Sequence, residues 1–188
     1  QTARLLNVSD LAAPFHLSRP TIADYVTLLE RVFLLDRLPP WHSNRLSRLV
    51  KAPKLHVGDT GVAAALLGFD GVSLYADRET LGQFLETFVV QELRRQAGWH
   101  TEPIAFHHFR DKDGGEVDLV LERGGRSVAG VEVKAAATVT AADFRGLRKL
   151  PMTWRTNTEA ARRTEQPLPS LTSSSAHRPR IGVAPVGA

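Results

Sequence analysis

The sequence predicts a mixed α/β protein, and three observations carry that reading. Apolar residues recur at helical spacing through most of the first hundred positions. The period then changes to two over residues 104–110, 116–122 and 127–135, with glycine-rich turns between them. Every regular pattern stops at Pro151.

Val8, Leu11 and Ala12 form a short apolar stripe that ends at Pro14. Ser18 is a candidate N-cap with Pro20 in the first turn, and Ile22, Tyr25, Val26, Leu29, Val32 and Phe33 continue at helical spacing. A short helix, a turn and a longer helix make a helix-turn-helix pattern. Residues 34–38 read as a strand reaching a turn at Pro39-Pro40, where a winged variant places its wing. From Arg37 to Lys54 there are five basic residues and no acids, with Trp41 among them. Arg45, Arg48, Lys51 and Lys54 are therefore the candidate DNA-backbone contacts, although such a run also suits a solvated loop.

Residues 54–57 predict a short strand, Thr60 a cap and residues 61–67 a helix, followed by a loop through Asp70. Leu81, Leu85, Phe88, Val89 and Leu93 mark an amphipathic helix over residues 80–97. Asp113-Gly114-Gly115 and Arg123-Gly124-Gly125 are hairpin turns joining the three strands. Thr140 caps a last predicted helix over residues 141–150. The organisation expected is a winged-helix-like segment over 1–75, an α/β core over 76–150 and a disordered or non-homologous tail over 151–188.

Composition excludes several classes. The most apolar stretch, residues 61–69, is half the roughly 20 residues a membrane-spanning helix needs, so no membrane role is expected. The absence of cysteine removes disulfides, thiolate nucleophiles and cysteine-containing zinc sites. With no leader pattern in the first fifteen residues, a cytoplasmic location is the simplest expectation. The net charge of +4 argues only weakly for a polyanionic partner, because three of those charges lie in the tail. His107 and His108 alternate across a strand with no further ligands nearby, which disfavours zinc, and no G-x-S-x-G motif is present.

The chemistry-bearing stretch is Glu116-Val117-Asp118-Leu119-Val120-Leu121-Glu122, a turn, and then Gly130-Val131-Glu132-Val133-Lys134. Alternation puts Glu132 and Lys134 on one face of a strand. If the two strands pair as a hairpin, Asp118 can lie beside Glu132. Two carboxylates with a nearby ammonium suit Mg²⁺-assisted phosphodiester cleavage, with Glu86 on the preceding helix as a third oxygen donor. A half-exposed sheet face of alternating charge and valine accounts for the same pattern.

Asp118, Glu132-Val133-Lys134 and the helix acid Glu86 resemble the PD-(D/E)xK, or restriction-endonuclease-like, nuclease superfamily. The runs Lys54-Leu55-His56-Val57-Gly58-Asp59-Thr60-Gly61, Leu81-Gly82-Gln83-Phe84-Leu85-Glu86-Thr87-Phe88-Val89 and Gly115-Glu116-Val117-Asp118 resemble, more specifically, domain-of-unknown-function family 4143. That resemblance covers about residues 4–150. It implies a winged-helix segment followed by a restriction-endonuclease-like core, forming the C-terminal part of a P-loop ATPase. It further implies Asp118 and Glu132 as ligands of Mg²⁺, Lys134 as the catalytic lysine and Glu86 as the helix acid.

No G-x-x-x-x-G-K-[ST] loop occurs in this chain, so the ATPase module is expected upstream of Gln1. The resembling fold continues with strand after residue 150, and the Pro/Ser-rich tail offers no strand pattern. A core truncated at its C-terminal edge is therefore expected, with self-association through an unpaired strand. The function expected is that of a DNA-associated, metal-dependent nuclease-like module. The alternative is a catalytically silent module coupling an ATPase to a protein or nucleic-acid partner.

Overall fold

A computed structural model describes residues 2–41, 51–124, 127–136, 138, 140–150 and 181–182. Helices and antiparallel sheets are both present, so the mixed α/β class holds. Among the described residues no helix is long and apolar enough to cross a membrane.

After β1 (Arg4–Leu5), helix α1 (Val8–Ala12) passes into a 3-10 turn at Ala13–Phe15. His16, in the left-handed region at φ 53°, ends that turn. Helix α2 (Arg19–Arg31) starts where the sequence predicts, with the Ser18 hydroxyl accepting the Thr21 N–H and Pro20 in the first turn. Ile22 and Val26 pack with Ala12 and Leu55, whereas Tyr25, Val32 and Phe33 from the predicted stripe are exposed. Strands β2 (Leu35–Leu38) and β3 (Lys54–Val57) complete an antiparallel sheet of order β1-β3-β2.

Pro39-Pro40 is not the turn expected there. The chain stays extended and runs beside the second sheet: His108 N–H donates to the Pro39 carbonyl at 2.9 Å, and Trp41 N–H donates to the His108 carbonyl at 2.7 Å. Prolines lack an N–H, so they suit an edge where only the carbonyl of one residue and the amide of another must pair. Leu38 and Trp41 enter two different apolar clusters of the C-terminal half.

Asp59, rather than Thr60, caps α3 (Thr60–Leu67) by accepting the Val62 N–H. The predicted loop at Asp70 contains a short helix, α4 (Gly71–Ala76), closed by a reciprocal Asp70–Ser73 capping box. Asp77 then caps the 20-residue α5 (Arg78–Ala97). The buried face of α5 is broader than its predicted stripe, because the helix packs against both sheets. Val89 and Val90 meet Leu38, Leu119, Val131 and Val133, while Phe88 is half-exposed. Thr87 faces β3, where its hydroxyl bonds His56 at 3.1 Å and Thr2 at 2.7 Å.

Strands β4 (Ile104–Arg110), β5 (Glu116–Arg123) and β6 (Ser127–Val133) form the predicted antiparallel meander. The predicted helix over 141–150 is absent. Those residues form turns and a 3-10 segment, Leu147–Lys149, that folds tightly over the meander. A Cβ at Gly146 would lie 1.7 Å from the Glu116 carbonyl oxygen, so the backbone approaches closer than any side chain permits. Leu147 and Leu150 thereby join Trp41, Phe109, Val117, Val120 and Val128 in a buried cluster.

The tail corrects a further expectation. Strand β7 (Ile181–Gly182) pairs antiparallel with β6 at Glu132 and Val133, making the sheet order β4-β5-β6-β7. That part of the β6 edge is therefore paired, and self-association through it loses its basis. The remaining tail residues lie outside the described residues.

Because Leu38 is fully buried in a cluster built by α5, β5 and β6, Leu38→Ala is expected to cost about 2–5 kcal/mol. The loss should appear as one cooperative urea transition shared by both halves. Two separate transitions, with only the first displaced, would show that the halves fold independently.

Candidate functional site

Lys54 opens β3, yet its side chain is 2% exposed. Its ammonium reaches Glu86 Oε1 on α5 at 2.9 Å, Glu116 Oε1 on β5 at 3.0 Å and Asp118 Oδ1 at 3.2 Å. Glu116 and Asp118 share a strand face because they are two residues apart. The register Leu119↔Val131 carries Asp118 opposite Glu132 across the β5–β6 ladder. Asp118 Oδ2 accepts the Val133 N–H at 2.9 Å, and Lys134 Nζ donates to Glu132 Oε1 at 2.7 Å. The four predicted catalytic residues therefore fall in two linked groups: Glu86 and Asp118 around Lys54, and Glu132 with Lys134 beside Asp118.

Glu116, Asp118, Glu132 and Lys134 line a cavity of about 440 Å³ that is also lined by Asp143, Arg145 and Lys149. Glu132 Oε2 is buried without a hydrogen-bond partner. A buried acceptor left without a partner is costly and calls for a proton, a water or a cation.

Electrostatics sharpen this. Burial works against the Lys54 charge, but Glu86, Asp118 and Glu116 outweigh it and hold its pKa above the usual lysine value. Burial, reinforced by the Asp118 charge, raises the Glu86 carboxyl against the pull of Lys54. Burial and Asp118 likewise push Glu132 up to about 7, with Lys134 opposing. Burial also acts to raise Glu116, but the Lys54 charge and hydrogen bond prevail and lower it. Desolvation, with the Lys54 charge second, takes His56 down to about 3, so the imidazole on β3 is neutral.

The carboxyl oxygens of Glu86, Glu116, Asp118 and Glu132 are the hard donor type that divalent cations take. The geometry is not that of a ready cage: among the described residues, no group of three or more His, Asp or Glu side chains is placed to hold a metal ion. Lys54 stands where three of the oxygens converge.

The basic run requires one correction. Lys54 cannot contact a phosphate backbone, because it is buried among carboxylates. Lys51 is exposed, and Arg45 and Arg48 lie outside the described residues. Of the His107-His108 pair, His108 is buried, and its Nε2 lies 3.0 Å from the Ala52 carbonyl. That oxygen can only accept, so Nε2 carries the proton. Sequence reasoning misses Lys54 and Glu116 as members of the cluster. The i,i+2 spacing of Glu116 and Asp118 is a signal for the second of them, whereas nothing local points to Lys54.

Fold and cluster thus define a class: a mixed α/β protein in which a buried lysine from an N-terminal sheet sits among carboxylates of a helix and a meander. Residues 81–165 match the family model of a domain of unknown function, DUF4143. Residues 1–73 match a second one, DUF8612. The DUF4143 match runs past Leu150, so similarity to that family extends into the segment expected to be non-homologous.

Uncharacterized proteins of Mycobacterium bovis and Mycobacterium tuberculosis are each 28% identical over 135 residues, which is 72% of this chain and 30% of theirs. The chain therefore spans less than a third of the curated relatives it matches. No solved structure matches it significantly.

Glu132 provides a pH test. With its pKa at about 7 in the fold against 4.5 ordinarily, the folded state keeps a proton that the unfolded chain has lost. This group's contribution therefore makes stability fall as pH rises from about 4.5 to about 7. In chelator, Glu132→Gln should become more stable relative to wild type at pH 8 than at pH 5, measured by urea denaturation. A difference that does not change with pH would mean that Glu132 ionises freely.

Proposed function

We propose that this chain is the nuclease-like, DNA-associated portion of a larger P-loop ATPase, with metal-dependent phosphodiester cleavage as its chemistry. The observation that carries the reading is the cavity that brings Asp118, Glu132 and Lys134 together, with a bare buried oxygen on Glu132. Asp118 and Glu132 would hold Mg²⁺. When bound, such a cation supplies charge stabilisation and lowers the pKa of a coordinated water.

The chain's own contributions are definable. The Val133 amide orients the Asp118 carboxylate through Oδ2. Lys134, which burial would discharge but the Glu132 carboxylate keeps protonated, presents a positive charge at the cavity wall. Arg145 lines the same cavity and adds a cation suited to a phosphate oxygen. The relatives extend well beyond the matched segment, as a multidomain protein would.

A second reading, a catalytically silent coupling module, is favoured by one observation: the Lys54 ammonium already neutralises the point where Glu86, Glu116 and Asp118 meet. The two readings separate in a nicking assay on supercoiled DNA with Mg²⁺ or Mn²⁺. The nuclease reading expects cation-dependent nicking that falls at least about a hundredfold in Asp118→Ala and in Glu132→Ala, with calorimetric metal binding lost in the double variant. Intact DNA, together with metal binding that both substitutions leave unchanged, would leave the silent module.

DNA association is assigned to Arg45, Arg48 and Lys51. Log affinity should fall linearly with log salt, and replacing all three by alanine should reduce that slope by up to about 2.7, roughly 0.9 per phosphate contact. The same slope in wild type and triple variant would remove this run from the interface.

A further inference from the structure

We propose that the exposed face of α2 is a homodimer interface: a second copy of this chain packs its own α2 antiparallel against the first, across a two-fold axis close to Leu28. The contact involves no sheet edge and does not depend on the chemistry of the cavity.

Helix α2 carries more apolar surface than its own domain uses. Ile22 and Val26 are buried against Ala12 and Leu55, whereas Tyr25, Leu28, Leu29 and Val32 are between 37% and 54% exposed. Their spacing, i, i+3, i+4 and i+7, makes a second stripe beside the buried one. A single exposed leucine is ordinary, but a row that continues into Phe33 and Leu34, both exposed, is a surface that calls for a cover. A phosphate backbone does not suit it, because DNA requires a row of cations where α2 offers apolar side chains.

The turn after the helix holds the end of this stripe in place. Phe33 is 86% exposed and has φ 61°, a left-handed conformation that is costly for a residue with a Cβ. Its N–H donates to the Glu30 carbonyl at 3.0 Å, and the Gly58 N–H donates to the Leu34 carbonyl at 2.9 Å. A Cβ on Gly58 would lie 2.0 Å from the Phe33 carbonyl oxygen, so only glycine lets the end of β3 clamp the turn this closely. A strained backbone that presents an aromatic residue to solvent suits an anchor at an interface.

Charge selects the occupant. Asp24 and Arg31 are exposed and have no ion-pair partner among the described residues, while Glu30 is engaged by Arg37 at 3.0 Å. With Tyr25 and Val32 as successive a positions and Leu28 as d, Asp24 and Arg31 both fall at g, on one flank of the stripe and about 10.5 Å apart along the axis. In an antiparallel pair related by a two-fold axis, like flanks meet, so Asp24 of each copy faces the partner's Arg31. A parallel pair brings g against e, where Leu29 stands, and leaves both charges unmatched. The stripe is therefore complementary to itself, and only in the antiparallel sense.

The test measures the mass of the full chain by sedimentation equilibrium over a range of concentrations, where a reversible dimer is expected at micromolar chain. Leu28→Lys sets like charges against each other at the axis and should raise the dissociation constant at least about a hundredfold. Asp24→Arg alone and Arg31→Asp alone oppose like charges at both ends of the helix pair, and each should weaken the dimer at least about tenfold. All three positions are exposed, so the variants should keep the wild-type far-ultraviolet circular dichroism.

Mixing the two charge variants decides the geometry. Asp24→Arg carries positive charge at both g positions and Arg31→Asp negative charge at both, so an equimolar mixture should form a heterodimer about as tight as the wild-type dimer. The double variant Asp24→Arg with Arg31→Asp should regain self-association in the same way. A chain that stays monomeric at every concentration overturns the proposal, as does a dimer that Leu28→Lys leaves intact. A dimer that Leu28→Lys weakens, but with no gain on mixing the charge variants, overturns the antiparallel pairing.

Discussion

The interaction on which the architecture depends is the buried ammonium of Lys54 held by Glu86, Glu116 and Asp118. An ion group in a dry interior is tolerated only when its partners are in place, and removing one partner typically destabilises by about 3–5 kcal/mol. Here the requirement has a topological effect. Lys54 belongs to the first sheet, Glu86 to the long helix and the other two acids to the meander, so the lysine is satisfied only when all three meet.

Other contacts repeat the same junction. The N-terminal sheet is joined to α5 by Arg4 with Glu79, by Asp36 with Arg94 and by the Gln91 amide donating to the Val57 carbonyl. His56 and Thr87 bond each other inside that interface, and the imidazole must stay neutral because burial and the Lys54 charge both oppose its protonation. On the apolar side, Leu38 and Trp41 carry the first half of the chain into the two main clusters of the second. The two segments matched by separate family models therefore share two apolar clusters among the described residues.

That packing gives the cluster its chemical character. Carboxylates placed on solvated strands would repel weakly and bind cations weakly, whereas burial raises Glu86 and Glu132 and leaves one oxygen bare. A lysine reaching in from another sheet offsets part of the charge and leaves a deficit on the Glu132 side.

Periodicity determined much of this protein on its own. The start of α2 at Ser18, the extent of α5 and the three strands of the meander follow from capping chemistry and from side-chain spacing, which are local properties. Pairing of Asp118 with Glu132 also followed, because a short hairpin leaves few registers. Only the tertiary structure decided the rest. Residues 141–150 have a helical pattern but fold as turns, since Gly146 and Leu147 are drawn onto β5 and β6 by close backbone approach and burial. Lys54 belongs by sequence to a basic surface run, and its burial depends on three acids that lie 32 to 64 residues away in the chain. No local pattern reports a long-range charge pairing, because the energy that turns the side chain inward resides in its partners.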